Sequence, residues 1–210
     1  MMSSYQTLAG EGHGEIVIQK SRFLADALPV ATEADAQAFL QRIRNASRDA
    51  SHHCFAYTIG SNMGIMRYSD DGEPSGTAGL PMMEVVKQKA VCNCCVVVTR
   101  YFGGILLGAA GLLRAYTQSC ALGIAQAGIV TMEPTVSLLC EIAYPLWDSL
   151  QHAMKTAPVQ IRHVEYAASV SFSLLVREKD RTDIENQLTQ LTQGQISCLE
   201  ESTSFQAWPV

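Results

Sequence analysis

No segment of the sequence is apolar for long enough to cross a membrane. The longest nearly apolar stretch, Gly103–Leu113, is interrupted by glycines and falls well short of the roughly 20 residues that a transmembrane helix needs. The N-terminus also lacks the basic segment followed by an apolar run that marks a secretory signal. These two absences predict a cytoplasmic protein with no membrane partner.

The chain has seven cysteines but no secreted context in which they would pair, so we expect reduced thiols. Cys92, Cys94 and Cys95 could instead join His52 and Cys54 around a metal. Structural zinc sites, however, typically place C-x₂₋₄-C pairs on turns, whereas "CNCC" lies within an apolar strand pattern. The sequence therefore favours buried, metal-free thiols, and it predicts no cofactor.

Charge is unevenly divided along the chain. Residues 1–130 contain ten Lys/Arg and ten Asp/Glu, whereas residues 131–210 contain five and ten, which accounts for the formal net charge of −5. An acidic C-terminal part disfavours binding to phosphate backbones. Any nucleic-acid surface would therefore lie on the N-terminal part.

The C-terminal part predicts elements in the order β-α-β-β-α-β. Its clearest strand is "SVSFSLLV" (Ser169–Val176), in which apolar residues face one side and serines the other. Pro145 suits the first turn of a helix, and Gly194 suits the end of a second one. This order is the ferredoxin-like arrangement.

The N-terminal part predicts strands at "GEIVIQ" and "SRFLADALPV", followed by a helix with Thr32 as its N-cap and Asp35 three residues later. The segments "HHCFAYTIG" and "CNCCVVVTRYF" are typical of strands, the second buried on both faces. A short helix starting at Pro81 and a long one through Leu113 complete the pattern.

These patterns place the chain in the α+β class with two domains. We predict an N-terminal domain of residues 1–130 and a ferredoxin-like domain of residues 131–210. The connection would be a linker near residues 128–134, with Pro134 at its end.

The segment "SDDGEPSGTAG" (Ser69–Gly79) is unusual because three carboxylates stand among three glycines and a proline. Its spacing excludes a calcium EF-hand, which needs acids at alternate positions, and a P-loop, which needs a Lys-Ser/Thr pair after its second glycine. In "GEPSG", Ser75 is one place too late for the G-x-S-x-G nucleophile elbow. A loop this long is usually functional or disordered, and Pro74 favours a fixed conformation.

A second unusual loop, "TRYFGGILLGAAG" (Thr99–Gly111), leads from the predicted buried strand into a helix. Free N–H groups at a helix N-terminus attract anions, so this loop could receive a phosphate. Alternatively, Gly103, Gly104 and Gly108 would permit a tight turn with close helix packing. Spacing alone slightly favours the tight turn.

Four segments, in chain order, closely resemble the signature of the IMPACT family and its YigZ-like bacterial branch: "KSRF", "HHCFAY", "SDDGEPSGTAGLPM" and "VVVTRYFGGILLGAAGLLRAY". They cover most of residues 14–116, with one departure at Ala110, where relatives commonly have glycine. The C-terminal part resembles the family's second domain in length and element order. The matched signature positions are Arg22, His52, His53, Asp70, Asp71, Gly72, Glu73, Pro74, Thr77, Arg100, Tyr101, Gly103, Gly104 and Arg114.

The resemblance implies an N-terminal domain like the α+β fold shared by a ribosomal protein and the fourth domain of elongation factor G. The second domain should be similar to that factor's ferredoxin-like fifth domain. Eukaryotic relatives act in translational control by binding a large regulator of a stress kinase. We therefore expect the two unusual loops and the histidine strand to form one cleft on the N-terminal domain.

The first functional hypothesis is a translation-linked regulatory or binding protein. It would contact the ribosome, RNA or a protein partner through this cleft. Arg22, Arg100 and Arg114 would contact phosphates, and Tyr101 or Phe102 would offer a stacking surface.

The alternative is a metal-dependent small-molecule hydrolase. Asp70, Asp71 and Glu73 would bind a divalent cation, and His52 or His53 would act as general base. We favour binding over catalysis because the sequence offers no complete set of nucleophile, base and orienting group.

Overall fold

The computed structural model of the chain describes residues 3–208, which divide into two compact units. The first unit is Tyr5–Thr131, and the second comprises residues 3–4 together with the residues from Met132 onward. Each unit has its own apolar core. Within residues 3–208, no helix combines the length and apolar content needed to cross a membrane.

The first unit is an α+β unit with three helices. In chain order its elements are β1 (Tyr5–Leu8), β2 (Gly12–Ile18), β3 (Ser21–Pro29), α1 (Glu33–Ala46), β4 (His52–Ile59), β5 (Ile65–Ser69), α2 (Gly79–Gln88), β6 (Cys94–Tyr101) and α3 (Gly108–Ala127). Five of the strands form an antiparallel sheet in the order β2-β3-β6-β4-β5.

Strand β6 lies at the centre of that sheet and is buried on both faces, as its continuous apolar run predicts. On one face, Val96 and Val98 share a core with Tyr116 of α3. On the other face, Val97 packs in a separate core with Phe39 of α1. The sheet is therefore covered by α2 and α3 on one side and by α1 on the other.

The predicted N-cap of α1 is confirmed. The Thr32 hydroxyl accepts a hydrogen bond from the Asp35 N–H at 3.1 Å, and the Asp35 carboxylate accepts one from the Thr32 N–H at 2.9 Å. This reciprocal capping box satisfies two backbone donors that the helix itself cannot pair.

The second unit has the predicted ferredoxin-like fold. Strand β7 (Ile129–Ile142) starts just before the unit and continues into it. The remaining elements are α4 (Tyr144–Met154), β8 (Val159–Tyr166), β9 (Val170–Arg177), a 3₁₀ turn (Glu178–Asp180), α5 (Arg181–Thr192) and β10 (Ser197–Ala207). The strands lie in the order β10-β7-β9-β8, and both helices pack on the same core.

The structure replaces the predicted linker with a continuous strand. Strand β7 runs through residues 128–134 apart from Gly128, and Pro134 lies opposite Phe205 of β10. Proline is compatible with extended backbone and removes only its own N–H from the ladder. Strand β5 was also not predicted, since most of its short "IMRYS" segment is exposed and shows no buried face.

The expectation of reduced thiols is wrong for two of the seven cysteines. Cys140 on β7 lies directly opposite Cys198 on β10, with their Cα atoms 4.2 Å apart, and the two form a disulfide. They are 58 residues apart in the sequence, so only the pairing of the unit's first and last strands brings them together. The other five cysteines are free and buried, as predicted for Cys92, Cys94 and Cys95.

We expect Cys140 and Cys198 to be linked in the purified protein. Alkylation after denaturation without reductant should modify the five free cysteines and spare this pair, whereas prior reduction should make all seven reactive. Mass spectrometry of the digested protein measures each position. Alkylation of Cys140 or Cys198 in the unreduced sample would contradict the pairing.

Candidate functional site

The first carboxylate of the acidic loop organises the loop itself. Asp70 accepts hydrogen bonds from the backbone N–H groups of Gly76, Ala78 and Gly79 at 2.9, 3.0 and 2.8 Å. Two of these donors belong to the start of α2, which has no cap from its own N-cap residue. Asp70 therefore closes the loop and supplies a negative charge at a helix N-terminus, where it is stabilising.

The second carboxylate, Asp71, holds the loop on the side of the sheet that α1 covers. Asp71 accepts from the His53 backbone N–H at 2.7 Å and pairs with Arg44 of α1 at 2.9 Å. The His53 ring lies on this side too, where Nε2 donates to the Ser47 carbonyl at 3.1 Å. Burial lowers the pKa of His53, so the ring is held as a neutral structural group.

The third carboxylate is buried in an ionic cluster. Glu73 Oε1 accepts hydrogen bonds from Arg100 Nη1 at 2.6 Å and from the Tyr116 hydroxyl at 2.8 Å. The side chains of Glu73 and Arg100 are almost completely inaccessible to water. Because buried charges require a close partner, this pair links the acidic loop, strand β6 and helix α3.

His52 faces the same cluster. Its Nδ1 is 2.8 Å from the Asp71 carbonyl oxygen, which can only accept, so Nδ1 carries a proton. In the neutral ring Nε2 is then unprotonated, and it lies 3.9 Å from Glu73 Oε1, too far for a hydrogen bond. His52 is thus oriented by backbone and can accept a proton from a bound molecule.

A cleft of about 510 Å³ opens above these groups, and we call it the His52 cleft. Its polar floor consists of His52, Glu73 and Arg100. Its apolar wall consists of Phe102, Leu106, Leu107 and Leu112. Phe102 is 49% exposed and Leu106 is 86% exposed, so the wall presents large apolar side chains to solvent beside the cleft.

Two ionisable groups beside the cleft stay protonated at neutral pH because they are buried. Burial raises the pKa of the neighbouring Cys54 thiol to about 12, so it remains protonated at neutral pH. Burial also raises the pKa of Tyr116. All three loop carboxylates have protein partners, and among residues 3–208 no group of three His, Cys, Asp or Glu side chains could hold a metal ion.

Six of the predicted site residues line the His52 cleft: His52, Gly72, Glu73, Pro74, Arg100 and Phe102. Others lie elsewhere. Arg22 on β3 lies opposite Tyr101 on β6, the residue after Arg100. Because successive strand residues point to opposite faces, Arg22 and Tyr101 lie on the face of the sheet opposite to Arg100. There Arg22 forms an ion pair with Glu15 at 2.7 Å.

The remaining predicted residues support or border this region without lining it. The Thr77 hydroxyl is buried and donates to the Pro74 carbonyl at 2.6 Å. A Cβ atom at Gly103 would lie 2.1 Å from the Lys20 backbone, so this turn requires glycine. Gly104 has φ +82°, and Arg114 is exposed on α3.

The start of α3 was expected from the sequence to border the cleft, but the apolar wall was not. Leu106, Leu107, Gly108 and Ala109 all line the cleft. A sequence signal was present, since three consecutive large apolar residues in a loop need either a core or a partner.

The fold and the cleft together define a two-domain α+β protein whose N-terminal unit carries a concave site, the His52 cleft. Residues 19–124 match the Impact N-terminal domain, and residues 140–195 match a domain of unknown function, DUF1949. The chain belongs to the IMPACT family, as the signature segments predicted.

The similarity to individual relatives extends over both units. The IMPACT family member YvyE of Bacillus subtilis is 38% identical over 98% of this chain and 94% of its own length. The IMPACT family member YigZ of Escherichia coli is 29% identical over 87% of this chain and 90% of its own length. A crystal structure of a hypothetical protein, 27% identical, matches with a TM-score of 0.62 over 96% of this chain and 99% of that chain.

Similarity to eukaryotic relatives covers a smaller share. The Protein IMPACT homolog of Dictyostelium discoideum is 33% identical over 94 residues, which is 43% of this chain and 27% of that protein.

We expect Asp70 to be a major contributor to the stability of the first unit. Asp70→Ala leaves three backbone N–H groups without their acceptor and should lower the free energy of unfolding by about 2–4 kcal/mol. Urea unfolding followed by far-UV circular dichroism measures this. Glu84→Ala is the control on the same helix, because its exposed pair with Lys87 contributes only about 0–1 kcal/mol. Equal effects of the two changes would contradict the role of Asp70.

Glu73→Gln should lower the free energy of unfolding more than Tyr116→Phe, which removes only the hydroxyl that donates to the same carboxylate. The first change leaves the buried Arg100 without a counter-ion, with an expected loss of about 3–5 kcal/mol in the free energy of unfolding. Tyr116→Phe removes one hydrogen-bond donor and should cost about 1 kcal/mol. Both tryptophans, Trp147 and Trp208, lie in the second unit, so their fluorescence reports the unfolding of that unit. The midpoint of this fluorescence transition should be the same in both variants as in the unmodified protein.

Proposed function

We propose that this protein is a translation-linked regulatory protein that binds a protein partner through the His52 cleft. The observation that supports this most directly is the composition of the cleft. Its floor groups are held by partners within the chain, whereas its wall exposes Phe102 and Leu106. Exposed apolar groups beside a concave surface are typical of protein-binding sites.

The charges favour a protein partner over RNA. Arg100 is neutralised by Glu73, and Arg22 is paired with Glu15 on the opposite face of the sheet. The three arginines considered as phosphate contacts therefore do not form one patch in this unit. Binding to a phosphate backbone requires several available cations on one surface.

The link to translation comes from the family. Every residue of the His52 cleft lies within residues 19–124, the part that matches the Impact N-terminal domain. Since the resemblance to eukaryotic family members implies a role in translational control through a protein partner, the shared domain is the reasonable location for such contact.

One observation favours the hydrolase as a second candidate. His52 is oriented through Nδ1 and leaves Nε2 free to accept a proton in the cleft. Against it, Asp70, Asp71 and Glu73 already have partners that they would have to give up to bind a cation. Catalysis would require turnover that His52→Gln abolishes while the fold is preserved.

Position 106 provides the sharpest test of the proposed contact. A photo-crosslinking amino acid at Leu106, introduced in growing bacteria, should form a crosslink to a ribosomal component or another translation factor identified by mass spectrometry. Leu106→Glu should weaken co-sedimentation with purified ribosomes or that factor by about tenfold or more, since a charge replaces a central apolar contact.

Val17 supplies the matched control, because it is an exposed apolar residue on edge strand β2 away from the cleft. A crosslinker or glutamate at position 17 should leave the interaction unchanged. Crosslinks from position 106 only to proteins unrelated to translation would refute the proposal. Ribosome binding that disappears steeply with added salt and ignores Leu106→Glu would indicate RNA contact instead.

A further inference from the structure

Helix α3 begins at the His52 cleft without a side chain that accepts hydrogen bonds from its first turn. Leu107 occupies the N-cap position without a capping bond, and the first turn contains no acidic residue. Gly108 and Ala109 line the cleft, so the N–H groups at the positive end of a 20-residue helix are presented there.

Arg100 lines the same cleft and has an unused hydrogen-bond donor. Its Nη1 donates to Glu73 and its Nη2 lies 3.4 Å from the Ser21 hydroxyl, but within the described part of the chain Nε has no partner. The residue is only 5% exposed. Nε is itself enclosed by the protein, and an unpaired buried donor is unfavourable, so Arg100 would gain a partner if an acceptor reached it from the cleft.

The apolar wall adjoins these donors directly. The Phe102 ring centroid is 5.5 Å from the Arg100 guanidinium carbon, and Leu106 and Leu107 lead into the first turn of α3. A molecule that pairs with these donors and covers the apolar wall must therefore combine a negatively charged hydrogen-bond acceptor with a large apolar group.

We infer that the His52 cleft binds a polypeptide segment in which a carboxylate lies next to a large apolar side chain. The carboxylate accepts hydrogen bonds at the α3 N-terminus beside Arg100, and the apolar side chain covers Phe102 and Leu106. This inference rests on the proposed function, because it states the chemistry by which the partner is recognised.

The local electrostatics suit one carboxylate rather than a run of phosphates. Glu73 already neutralises the Arg100 charge, so the remaining attraction comes mainly from the helix end, which is equivalent to about half a unit charge. A nucleic-acid backbone would bring several negative charges toward the buried Glu73 carboxylate without enough cations to balance them.

The test uses two blocked tripeptides as probes, one with two leucines and a glutamate and the other with two leucines and a glutamine. Each is titrated into the full-length ¹⁵N-labelled protein. The glutamate peptide should shift the amide signals of Gly108–Gly111 and the Arg100 Nε–H signal, and it should bind at least about fivefold more tightly than the glutamine peptide, since a charge-assisted bond at a helix end is lost in the latter. Leu106→Ser should weaken both peptides, and Val17→Ser should weaken neither.

Three results would overturn the inference: no shift with either peptide, equal affinity for the two, or inorganic phosphate producing the same shifts with Leu106→Ser having no effect. The last would identify a simple anion site.

These outcomes are separate from the fate of the proposed function. Crosslinks from position 106 to a translation component can persist when the peptides fail, and peptide selectivity can persist when no such crosslink forms.

Discussion

The buried ion pair between Glu73 and Arg100 is the interaction on which the organisation of the first unit's cleft depends. Arg100 lies near the end of the central strand, where neighbouring side chains exclude water, and a guanidinium in such a place requires a counter-ion. Glu73 can supply it only if the acidic loop folds inward against β6 and α3. The Tyr116 hydroxyl adds a second donor to the same oxygen, so helix, sheet and loop are joined at one atom.

The other polar groups of the loop follow from that constraint. With Glu73 directed inward, Asp70 reaches the N-terminus of α2 and Asp71 reaches Arg44 and the His53 backbone. The Asp71 carbonyl then orients His52. A group of acids and histidines that suggests catalysis in the sequence is thereby used to hold a loop. The apolar wall and the first turn of α3 remain open at the cleft.

Local patterns in the sequence predicted the elements whose burial is regular. The alternation in "SVSFSLLV" corresponds to β9, the apolar run after Cys94 corresponds to β6, and the Thr32 capping box begins α1. The sequence did not predict strand β5, because most of its side chains are exposed and show no buried face. The strand through residues 128–134 escaped because Pro134 resembles the end of a linker until its partner on β10 is known.

The sequence by itself determined the α+β class, the ferredoxin-like order of the second unit and membership of the IMPACT family, because periodicity, caps and long contiguous motifs are properties of neighbouring residues. Only the tertiary structure decided how those motifs are used. The register between β3 and β6 sends Arg22 and Arg100 to opposite faces, although both belong to the signature. Pairing of β7 with β10 joins Cys140 to Cys198 across 58 residues, and the turn before α3 exposes Leu106 beside the cleft. Each of these depends on which distant segments meet and in what register, and spacing along the chain does not contain that information.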